Sequence, residues 1–239
     1  MSKTVLITGS AKRIGREMAL FMAKTGWDVV IHYRNHEAEA NLTAQSIREL
    51  GQKAWLAKAD LLVAEEVAAL IPSLVKQGIH LDCLINNASL FEKDTLETVS
   101  QIQMERHFGV NLYAPLQLIR DFKAQHKAKD GLVITITDGM HGWSLSPAFL
   151  SYTLSKQALN EATKLLVRDL APTIRINAIA PGATLEGLQD KQDTFEKVKA
   201  LTPLARTSTP QEICDALAYL LAAPCITGQV IELSGGIGS

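Results

Sequence analysis

Apolar residues along this chain gather in short continuous runs, separated by longer stretches in which they recur at helical spacing. The runs Thr4–Thr8, Asp28–Tyr33, Ala54–Ala59, Cys83–Asn86, Leu132–Thr137, Ile174–Ile179 and Val230–Leu233 read as strands, rich in Val, Ile and Leu. Strands without polar alternation need cover on both faces, and alternation with helices implies parallel pairing through right-handed crossovers. The expected fold class is α/β: a doubly wound parallel sheet of about seven strands with helices on both faces, residues 1–239 forming a single domain. Such sheets bind ligands beyond the carboxyl ends of their strands, which directs attention to the turns after Thr8, Tyr33, Asn86 and Thr137.

Composition narrows the partners. The 239 residues are 47% hydrophobic and 21% charged, and 24 Lys and Arg against 25 Asp and Glu leave a formal charge of −1. Nothing in that balance favours a nucleic-acid or membrane-surface partner. Cys83, Cys214 and Cys225 are odd in number and form no Cys-x-x-Cys pair, which fits a reducing compartment. With no signal-peptide layout at the start and no apolar stretch long enough to span a bilayer, a cytoplasmic protein is expected. The segment 183–209 breaks the strand–helix rhythm; its charges are those of a solvated helix and loop, and its place after a strand suits a cover over substrate.

The first turn, Thr8-Gly-Ser-Ala-Lys-Arg-Ile-Gly15, follows a strand and opens a helix, the context in which backbone N–H groups cradle a pyrophosphate. Two glycines alone serve equally well as turn geometry; Lys12, Arg13 and Arg16 at the same helix start shift the balance to an anion. The second strand ends His32-Tyr-Arg34-Asn without the carboxylate that grips a ribose 2′-hydroxyl, and Arg34 is suited to a 2′-phosphate. NADPH is therefore expected over NADH, although a loop arginine facing solvent is the commoner fate of such a residue.

Tyr152-Thr-Leu-Ser-Lys156 opens a long helical pattern that places the phenol and the ammonium one turn apart. A cation beside a tyrosine favours phenolate and brings proton exchange toward neutrality. The spacing is common by chance and gains force only beside a nucleotide turn and Asn86-Asn-Ala-Ser89 after the fourth strand. No histidine has partners at metal-ligand spacing, and no metal site is expected.

With these residues in hand the chain resembles the short-chain dehydrogenase/reductase family over essentially its whole length, a Rossmann-type fold. The resemblance implies cofactor contacts from Gly9, Lys12, Arg13, Ile14 and Gly15, from Tyr33 and Arg34, from Asp60 and Leu61 after the third strand, and from Asn87, Ala88 and Ser89. It implies further contacts from Pro181 and Gly182, with Tyr152 as proton donor, Lys156 as its partner on the nicotinamide ribose, and Asn111 holding a relay water. Two positions depart from the general pattern. Arg13 replaces the middle glycine of the turn, and Asp138 stands where the family carries its catalytic serine.

Those departures resemble the pteridine reductase branch, in which an arginine occupies the turn, an aspartate replaces the serine and an aromatic residue follows Asn-Ala-Ser. Here these are Arg13, Asp138 and Phe91, and with Tyr152 they form the implied substrate set for a dihydropterin such as dihydromonapterin or dihydrobiopterin. A carboxylate suits ring N–H groups better than a ketone oxygen, and a phenyl ring suits a flat heterocycle. Read singly, Asp138 is equally a turn or cap aspartate, Phe91 a core residue, and Ser144 or Ser146 a displaced serine. The alternatives kept open are a carbonyl or 3-oxoacyl-thioester reductase and, from another class, a nonenzymatic NADPH sensor. The helical stretches Met104–His126 and Ser155–Leu170 carry enough apolar surface for a homotetramer, as the resemblance implies.

Overall fold

A computed structural model describes residues 2–126, 130–139, 148–185 and 192–237. Seven strands, β1 (Thr4–Ile7), β2 (Asp28–Tyr33), β3 (Ala54–Lys58), β4 (Cys83–Asn86), β5 (Gly131–Ile136), β6 (Ile174–Pro181) and β7 (Val230–Leu233), form one sheet in the order β3-β2-β1-β4-β5-β6-β7. All six pairings are parallel. The expected strands stand within a residue or two of their ends. Thr8 and Thr137 fall just beyond their strands, and β6 runs on to Pro181.

The reason for unbroken apolar runs is visible in the packing. Val5, Ile7, Val29, Ile31, Ile85 and Ile134 face one core with Met18, Met22, Ile47, Ile213 and Leu217, which come from α1 (Arg13–Lys24), α2 (Glu37–Glu49) and α9 (Pro210–Ala222). Their sequence neighbours Leu6, Val30, Leu84 and Val133 face the opposite core with Leu70, Ile71, Leu74, Leu118 and Phe122 of α3 (Ala64–Lys76) and α5 (Ala114–Gln125). Every residue of β1, β2, β4 and β5 is therefore inside, whichever way it points.

The helical stretch expected at Met104–His126 is not one regular helix. It begins earlier, as α4 (Gln101–Phe108), passes through a π-helical turn at Gly109–Tyr113 and resumes as α5. The turn carries Asn111, and such widened turns collect at functional sites because they re-aim a side chain. Likewise the second stretch begins earlier, as α6 (Leu150–Leu165), and closes with the short α7 (Val167–Leu170). Helix α8 (Gln192–Leu201) lies within the segment 183–209. Among the described residues no helix is long and apolar enough to cross a membrane.

Candidate active site

The strand order reverses between β1 and β4, and the residues following these two strands meet there. Thr8 Oγ1 accepts the N–H groups of Asn87 and Ala88, each at 2.9 Å, and the Asn87 amide donates to the carbonyls of Thr8 at 2.8 Å and Gly9 at 3.2 Å. Gly15 seals this joint: a Cβ there would lie 2.3 Å from the Gly9 carbonyl oxygen and 2.7 Å from Asn87 Nδ2. Only glycine fits, for packing rather than for backbone freedom. The Asn87 side chain thus serves the turn itself, a task its place in Asn86–Ser89 did not disclose.

Arg13 opens α1 with φ at +55°, the left-handed region in which a side chain is strained. That geometry explains why a glycine is natural at this position and marks the arginine as retained for something other than the turn. Helix α1 has no side-chain N-cap and no acidic residue in its first turn, so its amide donors are left for an anion. By contrast α4 and α9 each begin with a complete capping box, Ser100 with Gln103 and Thr209 with Glu212.

His32, buried at the end of β2, holds the turn from behind. Its Nδ1 accepts the Gly9 N–H at 3.0 Å, which leaves Nε2–H to donate to the Ala59 carbonyl at 3.1 Å. Burial pulls the imidazole down to about 4, with the Ala59 bond and Asp60 opposing, so it stays neutral. Beyond it, Arg34 lies 3.9 Å from Asp60, whose Oδ1 caps the Leu62 N–H at 3.0 Å. Lys12 reaches His36 Nε2 at 2.7 Å, while His36 Nδ1 is 3.3 Å from Glu39. Arg34 and Lys12 therefore bring two cations to the strand ends where a 2′-phosphate is expected, with Tyr33 buried beneath and Leu61 buried after β3.

The catalytic end assembles from β5, the loop after β4 and α6. Gly139 draws the β5 turn onto β6, its N–H donating to the Pro181 carbonyl at 2.9 Å; the Gly182 N–H donates to Leu233 at 2.9 Å. Tyr152 and Lys156 occupy one face of α6, as their spacing predicts. The Tyr152 hydroxyl is hydrogen-bonded to Asp138, and burial first, then the Asp138 charge and that bond, raise its pKa well above the ordinary value. This reverses the expectation of a phenolate: the neighbour that governs the phenol is an acid, and the group is held protonated. Lys156 Nζ donates to the Ile136 carbonyl at 2.9 Å and lies 5.9 Å from the Tyr152 ring centroid; burial lowers the ammonium to about 8 against the pull of Asp138.

Phe91 stands with its ring edge-on to Tyr152, centroids 4.6 Å apart, and stacked on Phe149 at 4.3 Å. At 56% exposure it is not a core residue. Phe149 had no signal of its own in the chain. Asn111 is buried; its Oδ1 accepts the Leu90 N–H at 2.8 Å and the Ser89 hydroxyl at 3.3 Å, and its Nδ2 donates to the Leu90 carbonyl at 3.0 Å and to Ser155 Oγ at 2.9 Å. Its side chain is thereby spent on holding the loop after β4. Of the cover segment, Thr184 Oγ1 meets Ser208 Oγ at 2.6 Å and ties the two ends together. His141, Trp143, Ser144 and Ser146 lie outside the described residues.

A family model described as enoyl-(acyl carrier protein) reductase matches residues 9–238. The chain belongs to the short-chain dehydrogenase/reductase family. It is an oxidoreductase of that family, and its relatives diverge in what they act on. FolM alternative dihydrofolate reductase 1 of Brucella suis, solved with NADP, shares 37% identity and a TM-score of 0.91 over 98% of this chain and 94% of its own. A 3-oxoacyl-[acyl-carrier-protein] reductase of Staphylococcus aureus is 30% identical over 99% of this chain and 98% of its own. An oxidoreductase of Methylorubrum extorquens is 32% identical, covering 98% and 97%.

Proposed function

We propose that this reductase transfers a hydride from NADPH to a C=N carbon of a dihydropterin, such as dihydromonapterin or dihydrobiopterin, with dihydrofolate a weaker substrate. The observation that carries this reading is the hydrogen bond of Asp138 to Tyr152 beside an exposed Phe91. A ketone oxygen offers no hydrogen to a carboxylate, whereas a pterin presents N–H groups along its edge and a flat face to stack on phenyl. Similarity to a dihydrofolate reductase solved with NADP supports it.

The turn fits the cofactor, being close-packed by Gly15 and uncapped at α1. Gly9, Lys12, Arg13, Ile14 and Gly15 would hold the pyrophosphate, Tyr33 and Arg34 the 2′-phosphorylated ribose, and Asp60 and Leu61 the adenine. Asn87, Ala88, Ser89, Pro181 and Gly182 would border the nicotinamide half, with Tyr152 and Lys156 on its ribose. Bound NADPH supplies the hydride. Tyr152, kept protonated by Asp138, is the acid for the ring nitrogen, with an Arg13-linked water as the second route. One C–H and one N–H bond form as the C=N π bond is consumed. Lys156, charged below about pH 8, returns positive potential to the phenol as its proton leaves.

The test follows NADPH consumption with a panel of dihydropterins, dihydrofolate, ketones and a 3-oxoacyl thioester. Dihydropterins are expected to be turned over fastest, and Phe91→Ala and Asp138→Ala to lower their kcat/KM by about tenfold or more. Preference for the thioester with Asp138→Ala neutral would replace this reading by the second one, a 3-oxoacyl-thioester reductase, which the Staphylococcus relative favours. Arg34→Asp is expected to shift preference from NADPH toward NADH by about tenfold or more.

A further inference from the structure

Asp94 is a buried acid that none of the chemistry above employs. It lies three residues beyond Phe91, yet its partners all lie at 148–151, where the chain enters α6. Its Oδ1 accepts the Ser151 N–H at 3.0 Å and its Oδ2 accepts the Ser151 hydroxyl, from a serine that is itself fully buried. Its own N–H donates to the Ala148 carbonyl at 3.1 Å, and its carbonyl accepts the Leu150 N–H at 3.2 Å. The two segments also join as a parallel bridge between Asp94 and Phe149.

Helix α6 has no capping side chain of its own: the residue at its N-cap is Phe149. Asp94 supplies the missing acceptor from 57 residues away in the chain and places a carboxylate at the positive end of the helix. A buried carboxylate is tolerable only where its oxygens find donors, so this loop has one well-satisfied seat. Seated, it sets Phe149 against Phe91 at 4.3 Å and Phe91 edge-on to Tyr152, the residue after Ser151.

We propose that Asp94 is a positioning residue, the latch that joins the Phe91 loop to the first turn of α6 and sets where the Phe91 ring stands against Tyr152 at the substrate end. The proposal rests on the reading of Phe91 and Tyr152 as the substrate end. Asp138 and Asp94 then divide the work: one acts on the Tyr152 proton, the other on where the ring stands.

Two variants test it, Ser151→Ala, which removes one donor and leaves the acid, and Asp94→Asn, which keeps the shape. Well below the unfolding temperature, both are expected to lower kcat and raise substrate KM, together costing about tenfold to hundredfold in kcat/KM, with KM for NADPH unchanged. The double variant is expected to be no worse than the poorer single one, because both remove one joint. A merely structural acid would lower the unfolding temperature and leave this KM-against-kcat split untouched. Kinetics of Ser151→Ala and Asp94→Asn within about twofold of the parent would overturn the latch. Should Asp94→Asn fail to fold, Ser151→Ala decides alone. Should the parent reduce only ketones or thioesters, the pterin reading fails while the latch is judged on that substrate. Amide exchange serves as an activity-free readout: faster exchange at both 90–95 and 149–153 is expected, and a change confined to the substituted residue counts against the joint.

Discussion

His32 spends both ring nitrogens on backbone, one holding Gly9 and the other Ala59. Its folded pKa of about 4 lies below the ordinary 6.5, so the fold favours the neutral ring. Above pH ~6.5 both folded and unfolded chains are neutral there and nothing is lost; as pH falls toward 4 the unfolded chain binds a proton that the folded one refuses. Stability is expected to drop by about 3 kcal/mol across that window from this residue. His32→Gln offers an acceptor and a donor without titrating, and urea unfolding at about pH 7 and about pH 4.5 is expected to show a shallower acid loss than in the parent. Equal losses in both proteins would refute the assignment. Arg13 makes the opposite case, a residue that costs the fold something. Relief of its left-handed backbone in Arg13→Gly is worth about 1 kcal/mol, largely offset by the freedom glycine gains when unfolded. Thermal melts are expected to be unchanged or slightly higher while dihydropterin turnover falls; a clear loss of stability would assign Arg13 a structural task.

Elements of this chain are tied to one another through their ends. Arg175 on β6 donates to the carbonyls of Leu220, Ala223 and Ile226 at 3.0–3.1 Å, closing the C-terminus of α9 and the loop beyond it. Replacing it with methionine keeps bulk and leaves carbonyls unpaired, and is expected to cost about 2 kcal/mol in denaturant unfolding with little change in kcat. A neutral substitution would show that water satisfies those carbonyls equally well. Asn111 does related work from the π-helical turn, where the widened backbone lets one side chain reach both the Leu90 backbone and Ser155.

Across the molecule, two cores on either side of the sheet leave the carboxyl ends of β1, β4, β5 and β6 to build one site from distant stretches of chain. Away from it, Ile102, Tyr113, Leu154 and Leu165 on α4, the π-helical turn and α6 are between 44% and 76% exposed. Gathered on one side, apolar side chains of this size would suit a contact between copies. We propose that copies of the chain meet there in a homotetramer. Light scattering is expected to return four times the chain mass, and Leu165→Asp to reduce it; a chain-sized particle at assay concentration would refute the assembly.

Local pattern was enough to place the strands to within a residue or two, to name the parallel doubly wound class, and to pair Tyr152 with Lys156, because strand burial and helical spacing are written in neighbouring positions. Gly15 was legible as a turn residue, but the carbonyl that forbids its side chain belongs to the folded joint. His32, Phe149 and Asp94 carried no such mark: a single histidine, phenylalanine or aspartate between ordinary neighbours looks like any other. The raised pKa of Tyr152 escaped the sequence for the same reason, since its burial and the charge of Asp138, brought in from the turn after β5, exist only in the folded chain. Contacts between segments far apart in the chain are set by packing of whole layers, and they alone determine which groups share a low-dielectric space and so which protons stay on.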